Sequence, residues 1–271
     1  MTARPMCLKS ALSCAVAVAA WFVTAPAHAD DELILSGNGA TLTGTNGGEG
    51  GSLDYLHSVT HAVIGVGGEY QRLATSSWEF GSLTGALRGA SGDANWSVSG
   101  EVDHGAGDTE EAVGTHDFGY AVEALGASGT FFKQVTLQLE TRQFDIDTTH
   151  GNLPKVGLGY LWARTWMTTV SYARSVSGNL GTELATLRID RFGRVVNLVA
   201  GAAGGHVAPP IVNIQTGALG PAPQYREGYV GFTREFPRVD VGLLGDYLTL
   251  SGTRRVTLTL TFTVHLDRGG A

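Results

Sequence analysis

Cysteine is almost absent. The chain of 271 residues has two, Cys7 and Cys14, and both fall in its first 29 residues. A disulfide framework and a thiolate metal site are thereby excluded from the remainder. Proline and methionine are also scarce, at 8 and 3 residues. After residue 29 no stretch has the length and apolarity of a membrane helix, which needs about 20 residues. Basic charge is thin as well, with 18 Lys and Arg against 25 Asp and Glu and a net charge of -7. An acidic chain has no electrostatic reason to bind nucleic acid, and none is expected as a partner.

The first 29 residues read as an export signal. Arg4 and Lys9 form a basic start, an apolar run follows from Ala11 to Thr24, and Ala27-His28-Ala29 offers small residues for cleavage. A lipoprotein signal at Cys14 is disfavoured, because Ala11 stands where Leu is usual. Without Arg4 and Lys9, the two charges of this leader, the net charge falls to -9.

What the chain has in quantity is glycine, 39 residues, and short segments that alternate. From Val256 to Leu266 every second residue is apolar (Val256, Leu258, Leu260, Phe262, Val264, Leu266), with Thr257, Thr259, Thr261, Thr263 and His265 between them. Successive strand side chains point to opposite faces, so one face is apolar and the other polar. The same pattern recurs around Trp96 to Val102, Phe118 to Ala124, Val135 to Leu139, Val156 to Trp162 and Val239 to Leu243. Helical spacing appears nowhere at length. Strands are expected near 62–73, 77–90, 94–104, 115–127, 129–144, 152–163, 165–176, 181–192, 194–204, 224–235, 237–249 and 254–266. The links alternate in length: long at Gly105 to Asp108, tight at Ser128, longer at Ile146 to Gly151, tight at Arg164, longer at Ser177 to Leu180, tight at Gly193, very long at Gly205 to Pro223, tight at Pro237.

Short turns at one end and longer loops at the other describe a transmembrane antiparallel up-and-down barrel, an all-β fold. The expected organisation is a signal peptide at 1–29, a Gly-rich segment at 30–61, a barrel at 62–266 and a tail at 267–271. About twelve strands follow, or fourteen if Leu33 to Thr43 and Ser52 to Val59 join. Both termini then lie on the periplasmic side of a bacterial outer membrane. The expected partners are outer-membrane lipid and the barrel-assembly machinery. Many barrels end on an aromatic residue, whereas here Leu266 precedes Asp267-Arg268-Gly269-Gly270-Ala271.

If the apolar phase meets lipid, the other phase lines a lumen holding Glu69, Glu101, Asp103, Glu123, Glu140, Arg142, Arg188, Asp190, Asp240, Asp246 and His265. Buried charges need water or partners, and ion pairs of Glu140 or Glu123 with Arg142 or Arg188 are the natural candidates. An acidic passage repels anions; a narrow barrel plugged by its own side chains is the alternative. Trp78, Phe80, Trp96, Tyr160, Trp162, Trp166, Tyr172, Tyr225 and Tyr229 suit an aromatic girdle at the headgroup level. Catalytic groupings are sparse. Asp103-His104, the set Asp145, Asp147 and His150, and His57-Ser58 with His61 offer acid–base or nucleophile chemistry only if folding brings them together. Metal ligation by His104, His116 and His150 is equally unanchored. No enzyme activity, cofactor or metal is expected.

Several segments resemble the YaiO family of outer-membrane barrels. They are Ser52-Leu53-Asp54-Tyr55, Gly68-Glu69-Tyr70-Gln71-Arg72, Leu187-Arg188-Ile189-Asp190-Arg191-Phe192-Gly193-Arg194, and Ala200-Gly201 before a proline-containing loop. The resemblance implies a signal-bearing barrel without established activity, some members standing beside polysaccharide synthesis. A channel or accessory for exopolysaccharide or envelope transport is its implied role, with polysaccharide as partner. A structural or adhesive barrel acting through the 205–223 loop, or a rim-sited lipase or protease, are the alternatives.

Overall fold

The computed structural model describes residues 30–43, 47–73, 75–111, 114–207, 224–250 and 253–266. The leader at 1–29, the tail at 267–271 and most of the 205–223 loop lie outside the described residues. The strands are β1 (Asp30–Leu42), β2 (Gly48–Val59), β3 (Ala62–Leu73), β4 (Ser76–Ser91), β5 (Ala94–Glu111), β6 (Gly114–Phe131), β7 (Val135–Ile146), β8 (Thr149–Trp162), β9 (Trp166–Arg174), β10 (Ser177–Gly178), β11 (Glu183–Arg191), β12 (Val196–His206), β13 (Gln224–Glu235), β14 (Val239–Leu250) and β15 (Thr253–His265). Apart from the two-residue β10, each strand pairs antiparallel with the next, β9 with β11 across β10, and β15 returns to β1 from Glu32↔His265 to Leu42↔Arg255. The sheet is thus a closed barrel of fourteen strands. Closure removes the free edges that an open sheet would present.

Residues 30–61 supply β1 and β2, so the barrel begins at Asp30 rather than at residue 62. Three expected links are corrected. Gly105 to Asp108 is strand, paired from Gly105↔Tyr120 to Asp108↔Asp117. Its glycines mark close approach rather than a loop. A Cβ at Gly105 would strike Phe80, and one at Gly107 would strike the Phe118 ring. Ser128 is strand too, bonded through its hydroxyl to that of Ser97 at 2.8 Å. The turn comes four residues later, at Phe132 and Lys133, both with positive φ (53° and 60°). Ile146 to Gly151 is a two-residue turn between Ile146 and Thr149. At the end where β1 begins and β15 stops, the turn end, all links are short. At the other, the loop end, the 175–182 and 207–223 links exceed every turn-end link.

The Ala163-Arg164 turn repeats the geometry of Phe132-Lys133, with φ of 51° and 61°. Left-handed backbone costs an L-residue roughly 1–2 kcal/mol, and glycine escapes this. Ala163→Gly is therefore expected to raise stability, by up to about 1 kcal/mol after the entropy glycine adds to the unfolded chain. A urea midpoint unchanged or lowered would contradict the turn geometry.

Candidate functional site: the lumen

Directly opposed residues of antiparallel strands share a face. The register therefore carries one face assignment around the whole wall. Hydroxyl pairs fix the inner face, at Ser36–Ser52, Ser97–Ser128, Thr130–Thr136 and Ser171–Thr186. Large apolar side chains fix the outer face: Leu125 is 60% exposed, Val230 65% and Leu258 56%. Isolated exposed leucines are ordinary, but a continuous apolar band around a barrel is not. The band includes Leu53, Leu83, Val98, Leu139, Leu158, Val170, Leu187, Leu198 and Leu260.

The band stops short of the loop end. Beyond it the outward residues turn polar: Glu79 on β4, His104 on β5, Glu123 on β6, Gln143 and Asp145 on β7, Arg226 on β13. At the same height the inward residues turn apolar. Leu42, Leu73, Trp78, Phe118, Val122 and Ile146 form one buried cluster, extended by Phe80, Tyr120 and Phe144, and Phe80 stacks on Tyr120 with centroids 5.1 Å apart. Tyr225, Leu248, Leu250 and Val207 form a second cluster on the other wall. The strands thus carry one pattern in the band and the opposite pattern past it. The loop-end lumen thus carries two apolar clusters, the second with Glu227 and Arg255 beside Leu248.

Of the residues expected to line a lumen, Glu69, Glu101, Asp103, Glu140, Arg142, Arg188, Asp190, Asp240 and Asp246 stand on the inner face by register. Glu123 does not. It is paired with Val102, one of the exposed outer residues, and lies on the outer face beside Leu125. The physical reason is the switch just described. Phe118, Tyr120, Val122 and Ala124 point inward in the loop-end part of β6, whereas Leu125, Ala127 and Phe131 point outward in its turn-end part. Trp78, Phe80, Tyr225 and Tyr229 are inward for the same reason and do not belong to a girdle.

Beneath the first apolar cluster lies a charged layer. Arg142 Nε donates to Glu140 at 2.6 Å, Lys155 Nζ donates to the other Glu140 oxygen at 3.2 Å, and Arg142 reaches Glu101 at 3.8 Å. Asp103 is 7% exposed, and its Oδ1 has no hydrogen-bond partner. Asp54, facing the same space, accepts from Ser52 at 3.2 Å. A cavity of about 210 Å³ opens here, bounded by Ser99, Glu101, Glu140 and Arg142. On the opposite wall Arg188 clamps Asp190 with contacts of 2.7–2.9 Å, Arg255 meets Asp246 at 3.4 Å, and Tyr225 donates to Glu227 at 2.6 Å. A cavity of about 480 Å³ there is bounded by Arg188, Glu227, Tyr229, Asp240 and Asp246. His265 sits between Asp240 and Glu32, at 3.0 and 3.1 Å. Toward the turn end the inner wall is mostly Ser, Thr, Gly and Ala, including Ser97, Ser128, Thr136, Gly157, Thr169, Thr261 and Thr263.

Lys155 and Asp54 belong to this layer, Glu227 and Arg255 stand nearer the loop end beside Leu248, and Glu32 stands at the turn end opposite His265; the sequence reading passed over all five. A count of strand parity carried from each neighbour would have found them. The candidate catalytic groups do not assemble. Asp103 is inward while His104, the next residue, is outward. Asp145 and His150 are paired on the outer face, and Asp147 binds His116 at 3.0 Å. His57 is held by Asp31 at 2.6 Å on the outer face, with Ser58 turned inward. Among the described residues no group of three or more His, Cys, Asp or Glu is placed to hold a metal ion.

No family model matches the chain, so the YaiO resemblance rests on the quoted segments alone. No curated protein matches its sequence. Solved structures do match. The chain is similar to the CymD monoaromatic hydrocarbon channel, with a TM-score of 0.61, 11% identity and 88% of each chain covered. The deltaS2S3 mutant of the TodX monoaromatic hydrocarbon channel gives 0.55 at 10% identity, covering 90% of this chain and 92% of that one. The Pseudomonas putida toluene transporter TodX gives 0.52 at 10% identity, covering 90% and 91%. At such identities the likeness is one of fold, an antiparallel closed barrel.

Proposed function

We propose that this protein is a non-enzymatic outer-membrane channel whose loop-end mouth admits small apolar, including aromatic, molecules. The observation that carries the reading is the inward apolar lining above the band, with Trp78, Phe80, Phe118, Tyr120 and Phe144 facing the lumen rather than lipid. A solute crossing a polar outer leaflet needs a route that does not strand it in water. An aromatic lining offers contact by area, about 25 cal/mol per Å² of apolar surface buried. The structural neighbours named as hydrocarbon channels support this class of solute. The outward apolar band supports insertion in a bilayer, because hydrocarbon accepts only strands closed on themselves. The leader read at 1–29 supplies the export this location requires.

Polysaccharide passage, the role the YaiO resemblance implies, suits the hydroxyl-lined turn-end half but not the apolar mouth. Proteoliposomes separate the two. Uptake of toluene-sized aromatic solutes is expected to rise above protein-free vesicles, and uptake of a maltooligosaccharide is not. Sugar uptake without aromatic uptake would reverse the reading, and no uptake of either would remove the channel.

A further inference from the structure

The turn end carries a strongly uneven charge. Along its β6–β14 side stand Lys133, Arg164, Arg191, Arg194, Arg234 and Arg238, all exposed. None of them is in an ion pair among the described residues. Of the acids at this end, Asp190 and Asp240 are inward and engaged by Arg188 and His265, and Glu235 is engaged by Asn197 Nδ2 at 2.7 Å. Two of the guanidinium groups lie over rings: Arg191 is 5.9 Å from the Trp166 centroid and Arg234 is 5.0 Å from that of Phe236. Trp166 stacks on Trp162 at 5.5 Å, and the Trp162 indole donates to Thr168 at 3.0 Å. Such contacts hold the cations at a fixed height, that of the rings. The β2–β5 side of the same rim has no such row. With the adjoining start of β1 it presents Asp31, bonded to Tyr55 at 2.9 Å and to His57, together with His61, Arg88 and Asp93.

We propose that this arc binds the headgroups of anionic phospholipids in the leaflet at the turn end. Six unpaired cations spread over several turns exceed what one small anion could neutralise, so the partner is an extended anionic surface. The apolar band begins just beneath the arc, which places that surface at a lipid boundary. Anionic lipid should therefore gather beside β6–β14 and not beside β2–β5. The inference rests on the membrane reading above and adds a sidedness which that reading does not require.

Tryptophan quenching by brominated lipids tests it in reconstituted full-length chain. A W21F/W78F/W96F variant reports from Trp162 and Trp166, on the basic arc. A W21F/W78F/W162F/W166F variant reports from Trp96, on the other side. In mixed vesicles, brominated phosphatidylglycerol is expected to associate at the first pair about five-fold or more above brominated phosphatidylcholine, since one basic residue near an anionic surface gives roughly that factor. The ratio should fall to near one in 1 M salt, where screening acts within about 3 Å. It should fall likewise when R191Q, R194Q, R234Q and R238Q are combined, and it should stay near one at Trp96. A ratio near one at Trp162 and Trp166, or an equal preference at Trp96, would overturn the proposal while leaving the membrane reading intact. Quenching by neither lipid at any site would overturn both. Should the reporter variants fail to insert, native mass spectrometry of the wild-type chain decides: retained phosphatidylglycerol adducts support the site, and equal retention of both lipids refutes it.

Discussion

Trp78→Ala is expected to cost about 3 kcal/mol of stability and to raise solute flux, whereas Trp96→Ala should cost well under half as much and leave flux alone. Both residues are tryptophans on adjacent strands of one wall. Trp78 is 9% exposed and packed among Leu42, Leu73, Phe118, Val122 and Ile146. Trp96 is 46% exposed on the outer face. Truncating a packed aromatic removes its transfer energy and leaves a cavity, about 3–5 kcal/mol when nothing collapses into the space. The lower end of that range applies at Trp78, because one side of the cluster faces a lumen. The same truncation widens the mouth by the volume of an indole. Urea midpoints followed by the gel mobility of unboiled protein give the first quantity, and aromatic solute uptake by proteoliposomes gives the second. A larger loss at Trp96 than at Trp78 would mean that the wall had been turned inside out.

That pair of residues shows how far the sequence could be read. The alternation of β15 survived intact: Val256, Leu258, Leu260 and Phe262 are outward and Thr257, Thr259, Thr261 and Thr263 inward. A strand that stays within the apolar band has one rule along its length. β4, β6, β7 and β14 leave the band before they end, and the rule inverts where they do. On β6 the apolar parity passes from Phe118, Tyr120 and Val122 to Leu125, Ala127 and Phe131. On β7 it passes from Val135, Leu137 and Leu139 to Phe144 and Ile146. Both inversions stand in the sequence, but a single assumed phase hides them, and Glu123 was misplaced as a result. The sequence leaves the count open between twelve and fourteen strands for a related reason. β1 and β2 hold Gly37, Gly39, Gly48, Gly50 and Gly51, residues that ordinarily weaken a strand. Closure against β15 and β3 supplies their stability, and a local pattern cannot show that. Neither could the Phe132-Lys133 turn be read, because it lacks the glycine or asparagine that usually marks a left-handed position.

The charged layer yields the second large effect. Arg142 is the cation shared by Glu140 at 2.6 Å and Glu101 at 3.8 Å, and Asp103 lies on the neighbouring strand with an unpartnered oxygen. Arg142→Met leaves three carboxylates on this wall with Lys155, which already serves Glu140. Removing one partner of a fully buried ion pair costs about 3–5 kcal/mol. The Arg142 side chain is 41% exposed, so water screens part of that loss and about 2 kcal/mol is expected. The lumen also becomes more acidic, and acidic rings favour cations. In planar bilayers under a KCl gradient the reversal potential should therefore move toward that of K⁺. Glu123→Gln provides the control, because it alters a carboxylate of the same region on the opposite face. It should move neither the reversal potential nor the urea midpoint by more than about 0.5 kcal/mol, the usual range for surface changes. If Glu123→Gln shifted selectivity as Arg142→Met does, β6 would have to be rotated by one residue. Every pairing from Tyr120↔Ile146 to Phe131↔Val135 would slip with it. A one-residue slip of that kind sends Phe118, Tyr120 and Val122 outward and exposes them to water past the apolar band, so the fold and the proposed passage stand or fall on the same register.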